Sequence, residues 1–159
     1  MAALFPPDIV DASYLSRVDV TNDFGTFSHH SFSLEEREWP SVEHYYQAMK
    51  FADPDYQDKI RQAAHPKRAR KLGRSRWQKR RSDWRNLKVT YMTRAVYTKC
   101  RTYPHIAEAL LATGDKTLIE SSNYDYFWGC GRDRRGENMY GKVLMNVREK
   151  LSEEQATTT

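Results

Sequence analysis

The chain has 159 residues, a length that suits one hydrophobic core and not two. Apolar residues make up 39% and aromatics 13%, which excludes a globally disordered chain. The net charge is +5, of the sign that attracts polyanions, and no stretch approaches the ~18 consecutive apolar residues of a membrane span. Cys100 and Cys130 have no partner spacing, so they read as reduced thiols rather than as a disulfide framework or a zinc site. The opening Met-Ala-Ala-Leu-Phe-Pro-Pro lacks the basic flank and apolar run of a secretion signal. The expected compartment is the cytoplasm, with the nucleus as a second location beside it.

In chain order, the first 38 or so residues lack helical periodicity. β-favouring pieces at Arg17–Val20 and Gly25–Phe32 predict a small hairpin or extended arm. A first helix is expected from Pro40 and Ser41, which suit N1 and N-cap roles, to about Phe51. Asp53-Pro54 opens a second helix that turns Tyr56 and Ile60 inward. His65-Pro66 opens a third, short and basic, which Gly73 should stop. The longest helix is expected from Ser82 or Asp83 to Arg101, with Trp84, Leu87, Tyr91 and Ala95 on its buried stripe. Pro104–Thr113 forms another, closed by Gly114, and Gly141–Lys150 the last, burying Val143, Leu144 and Val147. Between them, residues 123–140 are too Gly-rich and polar for a regular element, and a long ordered loop of this kind is usually functional. The fold class is therefore mostly α, a compact single helical domain over residues 1–151 with a short extended or hairpin N-terminal segment. Residues 152–159 read as a flexible polar tail.

The charge is unevenly spread. Between Lys67 and Arg85 stand ten basic residues against one acid, Asp83, a local charge of +9 that leaves −4 on the other 140 residues. Such a field attracts phosphate, and Trp77 and Trp84 among the cations offer rings to stack on bases. A solvated helix face is the plainer reading. Arg74, Arg76, Lys79 and Arg80 are the expected nucleic-acid contacts.

Two constellations carry chemistry. On the first helix, Glu43, Tyr46, Gln47 and Lys50 fall at i, i+3, i+4 and i+7 and share a face. Exposed, that face is ordinary. Buried in a pocket, it would give Glu43 a raised pKa for acid or base work and Lys50 a lowered one, suited to a neutral amine nucleophile. The second constellation joins Glu120 and Asp125 to Trp128, Gly129, Gly131, Gly136, Asn138 and Gly141. Its glycines let backbone approach a ligand and offer amides to phosphate, and its carboxylates suit ribose hydroxyls or catalysis. A tight aromatic turn capped by glycine is the structural alternative. No Walker-type or dinucleotide fingerprint is present, and the histidines show no zinc-ligand spacing with either cysteine.

Together these residues resemble the NADAR, or YbiA-like, family. The resemblance runs from about residue 17 to 151. It is carried by Phe27-Ser28 after Gly25, and by Trp39-Pro40 with Glu43-His44-Tyr45, Gln47-Ala48 and Lys50-Phe51. It continues through Trp84 with Lys88, Met92, Arg94-Ala95 and Lys99, then Leu111-Ala112-Thr113, Leu118 and Glu120. Asp125 with Trp128-Gly129 and Gly131, then Gly136, Asn138, Gly141, Leu144-Met145 and Arg148 complete it. The resemblance implies a mostly helical N-glycosidase with no metal or other cofactor. Some members are similar to enzymes that destroy early riboflavin-biosynthesis intermediates; others resemble hydrolases that remove ADP-ribose from the exocyclic amine of guanine in nucleic acid. It places Glu43, Trp84, Asp125 and Trp128 at active-site positions, with Lys50 beside them. Phe27, Ser28, His44, Gln47 and Glu120 join them as expected substrate-binding residues, and Gly129, Gly131 and Asn138 as phosphate binders. Two routes are open: Glu43 and Asp125 as an acid–base pair, or ring opening followed by attack of Lys50 to give a Schiff base. The second is favoured. The basic stretch favours ADP-ribosylated nucleic acid over a phosphorylated N-riboside as substrate, with a pure ADP-ribose or nucleic-acid binding module as the non-enzymatic alternative. No membrane and no obligatory protein partner is expected.

Overall fold

A computed structural model describes residues 11–158. Residues 1–10, including the segment expected to carry no secretion signal, lie outside them, as does Thr159 of the expected tail. The described chain runs β1 (Ala12–Leu15), β2 (Phe32–Leu34), β3 (Arg37–Trp39), α1 (Val42–Met49), α2 (Pro54–Arg61), α3 (Pro66–Gly73), α4 (Trp84–Thr102), α5 (Pro104–Ala112), β4 (Thr117–Glu120) and α6 (Met139–Thr157).

The helices start where their caps dictate. The Ser41 hydroxyl accepts from the His44 amide at the head of α1, Asp53 caps α2 ahead of Pro54, and His65 caps α3 through Nδ1 ahead of Pro66. Every residue of α1 is buried, because α2, α3 and α4 all pack around it. A helix enclosed on all sides must find partners for its polar residues inside the protein, and that requirement shapes the site. Behind α1, α4 and α6 form the long pair of the core, burying Met92, Ala95 and Val96 of α4 against Val143, Leu144 and Val147 of α6.

The short strands differ from their expected positions. Arg17–Val20 forms no strand, and of Gly25–Phe32 only Phe32 enters one, opening β2; the rest belongs to the connection between β1 and β2. β1 instead pairs in parallel with β4, Ala12 opposite Thr117 and Leu15 opposite Glu120. The hairpin lies one element later, β2 antiparallel to β3, with Phe32 opposite Trp39. Its two-residue turn, Glu35-Glu36, holds both residues at positive φ (55° and 64°), a primed turn built without the usual Asn or Gly. The Glu35 carboxylate offsets that strain by accepting from the Tyr45 hydroxyl (2.9 Å) and from Arg94 (2.6 Å).

The tail also departs from expectation. α6 begins at Met139 and continues through residues 152–157. Leu151 is buried, and Glu154 accepts from Tyr97 (2.5 Å) and faces Arg101 (3.6 Å), so the last turns are tied to α4. Among the described residues no helix is long and apolar enough to cross a membrane. Residues 121–138 form the long connection from β4 to α6, without helix or strand.

Candidate active site

The shared face of α1 is interior. Glu43 is 1% and Lys50 6% exposed, with Tyr46 and Gln47 buried between them. Glu43 Oε1 accepts from Gln47 Nε2 (2.7 Å), one turn along α1, and from Arg70 Nε of α3 (3.1 Å). Burial alone would raise the Glu43 pKa, as the sequence suggested. The Arg70 guanidinium, the Gln47 amide, the Thr26 hydroxyl and the more distant Arg17 outweigh it and hold the carboxyl below its ordinary value. Glu43 is thus an anion at neutral pH, suited to accept a proton and not to donate one first. The expectation of a raised pKa is corrected by Arg70, whose side chain is lost among the many cations of the linear sequence.

Lys50 follows the expectation. It caps the C-terminus of α1, its carbonyl taken by the Arg81 amide (2.8 Å). Burial, then the neighbouring Arg80, Arg74 and Arg70, lower its pKa to about 7 against the pull of Glu43. Among the described residues its Nζ makes no hydrogen bond and lies 5.4 Å from the Tyr46 ring centroid. This amine is held largely out of water, half neutral near pH 7, and unclaimed by any protein acceptor.

Aromatic rings wall the same face. Tyr46 lies against Trp84 at 5.2 Å and edge-on to Trp128 at 5.6 Å, and Trp84 stacks on Tyr91 at 5.9 Å. Burial raises the Tyr46 pKa to about 12, so its phenol stays protonated. Two tryptophans that the sequence places 44 residues apart therefore meet through a tyrosine that it had placed on the Glu43–Lys50 face.

Asp125 and Glu120 are brought together by Arg17, a buried residue with no distinguishing signal in the linear chain. Arg17 reaches Asp125 Oδ2 at 2.8 Å and Glu120 Oε2 at 3.3 Å, and its backbone amide donates to Glu120 Oε1 (3.1 Å). Asp125 Oδ1 accepts from the amides of Phe127 (3.0 Å) and Trp128 (2.8 Å), which fixes the Trp128 ring. Partial burial raises the Asp125 pKa, but Arg17 and those two amides lower it further, so its carboxyl too is an anion. Glu120 is fully buried and takes, besides Arg17, the amide and hydroxyl of Ser122. Through these bonds it organises the loop.

Several expected ligand contacts are likewise spent on the fold. Asn138 adopts a left-handed conformation (φ 51°) and joins β4 through both ends of its amide, donating to the Leu118 carbonyl (2.9 Å) and accepting from the Glu120 amide (2.8 Å). The Gly131 amide donates to the Ser122 carbonyl (3.0 Å), and a Cβ on Gly129 would stand 2.5 Å from Glu120 Oε2. The Gly131 amide and both ends of the Asn138 amide are thus engaged within the fold, and Gly129 is packed too closely to carry a side chain. His44 bridges Ser41 and the Ala63 carbonyl (2.9 Å). The carbonyl can only accept, so Nε2 carries the proton and Nδ1 accepts from the Ser41 hydroxyl (2.7 Å). That imidazole locks α1 to the α2–α3 connection. Ser28 accepts from Lys99 (3.1 Å), whose ammonium also holds the carbonyls of Asp23 and Gly25.

Phe27 does face the site. It lies under the Arg70 guanidinium (4.8 Å), and the two are among the residues lining a cleft of about 1380 Å³, whose lining includes neither Glu43 nor Lys50. Lys59, Lys67, Arg68, Lys71, Arg74 and Arg76 with Trp77 also line that cleft, and among the described residues no carboxylate does. Trp77 is 94% exposed. Lys79 and Arg80 stand exposed on the same loop between α3 and α4, outside the lining.

Comparison with known proteins shows the family. The NADAR domain model covers residues 11–152. The chain is 44% identical over 131 residues to an N-glycosidase of Nostoc punctiforme, covering 80% of this chain and 84% of that one. It is 34% identical over 140 residues to the N-glycosidase YbiA of Escherichia coli, covering 88% of each. It is also 38% identical over 155 residues to the chloroplastic riboflavin biosynthesis protein PYRR of Zea mays, with 87% of this chain matching a quarter of that longer protein. The NMR structure of E. coli YbiA superposes with a TM-score of 0.83 at 32% identity, over 94% of this chain and 90% of that one. In sequence, in fold and in the extent of both, the chain belongs to the NADAR domain family.

Proposed function

We propose that this protein is an N-glycosidase that hydrolyses the bond between ribose C1 and an exocyclic amine, with Lys50 as nucleophile, and that its substrate is ADP-ribose carried on guanine in nucleic acid. The observation that carries the reading is the buried amine of Lys50, poised near pH 7 beside an ionised Glu43. The naming of relatives as N-glycosidases supports the reaction class.

The acid–base route needs one carboxylic acid to protonate the leaving nitrogen. Arg70 holds Glu43 ionised and Arg17 does the same to Asp125, so neither supplies that proton from the resting protein. The amine route does not require it. The exocyclic nitrogen's lone pair forms a C1=N bond as the C1–O4′ bond breaks, with the N–H proton passing to O4′. Neutral Lys50 then adds to C1. Both protons of the lysine nitrogen pass in turn through Glu43 to the departing nitrogen, the first on addition and the second as its bond to C1 breaks, so that a neutral amine leaves as the lysine imine forms. Water adds to that imine and releases ribose and the free lysine. Tyr46, Trp84 and Trp128 supply an aromatic wall for this chemistry, and Arg17 positions the wall through Asp125.

The cleft supports a polyanionic substrate. A single phosphate does not need six flanking cations and an exposed ring, whereas a strand has both phosphates and bases to engage them. Phosphorylated riboflavin intermediates remain the second reading, favoured by the name of the maize relative. The purified protein incubated with a guanine-ADP-ribosylated oligonucleotide and, separately, with the early riboflavin-pathway amine distinguishes them. Release of ADP-ribose, abolished in Lys50→Ala, is the expected result. Turnover of the small amine alone would move the function to metabolite repair. Tight binding of the oligonucleotide with no release of either product, unchanged in Lys50→Ala, would make the domain a binding module.

A further inference from the structure

On α5 and the β1–β2 connection, Asp23, His30 and His105 converge. Their candidate ligand atoms all lie within 4.8 Å of one another. His30 Nε2 stands 3.9 Å from Asp23 Oδ1, and the rings of His30 and His105 are 6.0 Å apart. A separation of 3.9 Å is too long for a hydrogen bond. It is close to the ligand–ligand edge of about 3.3 Å that metal bonds near 2.0–2.1 Å impose in a tetrahedron. Among the described residues, the Asp23 carboxylate and the His105 imidazole make no hydrogen bond, and His30 Nδ1 is buried without a partner. The His30 ring is held by edge packing on Tyr103 (4.9 Å), so it sits in place without its nitrogens being claimed.

We propose that Asp23, His30 and His105 form a binding site for one borderline divalent transition-metal ion of the Zn²⁺ type. Two imidazoles and one carboxylate suit Zn²⁺, Co²⁺ or Ni²⁺, and do not suit Mg²⁺ or Ca²⁺, which need more oxygen donors. Three protein ligands leave a fourth position for water. The site was invisible in linear spacing because His105 lies 75 residues beyond His30, at the start of α5.

Its location gives the ion a positioning role. Asp23 and His30 bracket the segment whose Thr26 carbonyl accepts from the Glu43 amide (3.0 Å) and whose Phe27 lies under Arg70. Lys99 already ties this segment to α4 from below. A bound ion would fasten it to α5 as well and stiffen the loop behind Glu43. It would take no part in the reaction, which the α1 face performs.

The test is titration of chelator-stripped, tag-free protein with Zn²⁺ and Co²⁺, read by calorimetry, by Co²⁺ visible absorption and by thermal unfolding. One equivalent per chain, a nitrogen/oxygen-type Co²⁺ spectrum without thiolate charge transfer, and a rise in Tm of about 5–10 °C at a hundredfold excess over Kd are expected. His105→Ala and Asp23→Asn, both at exposed positions, should keep the metal-free Tm and weaken binding at least tenfold; Cys130→Ser should leave it unchanged. Absence of stoichiometric binding would overturn the proposal. So would binding that survives both ligand substitutions, or binding of Mg²⁺ with equal affinity.

Discussion

Lys50 is the residue on which chemistry and stability pull in opposite directions. Its pKa in the folded protein, about 7, lies below the ordinary lysine value of 10.5. The unfolded chain therefore binds its proton more tightly, and the group destabilises the fold at neutral pH. That cost is complete below pH 7 and fades as pH rises from about 7 to 10.5. Lys50→Met should accordingly abolish turnover while raising stability at pH 7 by about 1–3 kcal/mol, measured by urea denaturation. A structural lysine would show loss on both counts. The same pKa predicts that kcat/KM climbs through pH 7 as the ammonium deprotonates, and that Arg80→Ala, which removes a repelling charge, moves that limb to higher pH. Arg17 is the converse case. Removing it leaves Glu120 and Asp125 without their shared cation, so Arg17→Ala should cost about 3–5 kcal/mol and collapse the β4–α6 loop, seen as loss of Tm and of Trp128 fluorescence. The sequence made Lys50 legible through its i+7 relation to Glu43. Arg17 had no such signal, because its partners lie more than a hundred residues away.

At the scale of elements, the helix starts were legible because capping is local. Ser41, Asp53 and His65 each act on an amide two or three residues ahead, which a reader of the chain can see. Strand pairing is not local. β1 finds β4 across about a hundred residues, and the β2–β3 turn uses two glutamates where turn chemistry predicts Asn or Gly. The end of α6 was missed for a similar reason, since the bonds that hold Glu154 come from α4. The contact between α1 and α3 yields a prediction of its own. A Cβ at Gly73 would fall 1.9 Å from Gln47 Oε1, so Gly73→Ala must displace the amide that supports Glu43. It should lower stability by about 1–3 kcal/mol and reduce kcat, whereas Gly114→Ala, with nothing within 4 Å, should leave kcat intact.

Across the whole molecule, Arg70 links the basic cleft it lines to Glu43, and the electrostatics of this region serve two ends. The cations of residues 67–85 set the outer field that would draw a strand in, and three of them, Arg70, Arg74 and Arg80, also lower the Lys50 pKa. Binding of a single-stranded oligonucleotide should therefore weaken with salt, and each phosphate contact removed, for example in Arg76→Ala, should reduce the slope of log K against log salt by about 0.7. Trp77→Ala should weaken binding by about 1–3 kcal/mol with little change in that slope, because a stacked ring carries no charge. Net charge and its clustering were visible in the sequence; that the same arginines face Lys50 was not, since it depends on α3 and the following loop folding back over the end of α1.

The most direct measurement is borohydride reduction during turnover of the ADP-ribosylated oligonucleotide, followed by peptide mass mapping. Lys50 as nucleophile predicts a stable ribose-containing adduct on the peptide that carries Lys50, absent in Lys50→Ala and absent without substrate. Turnover at full rate with no adduct on Lys50, or with turnover retained in Lys50→Ala, would contradict it.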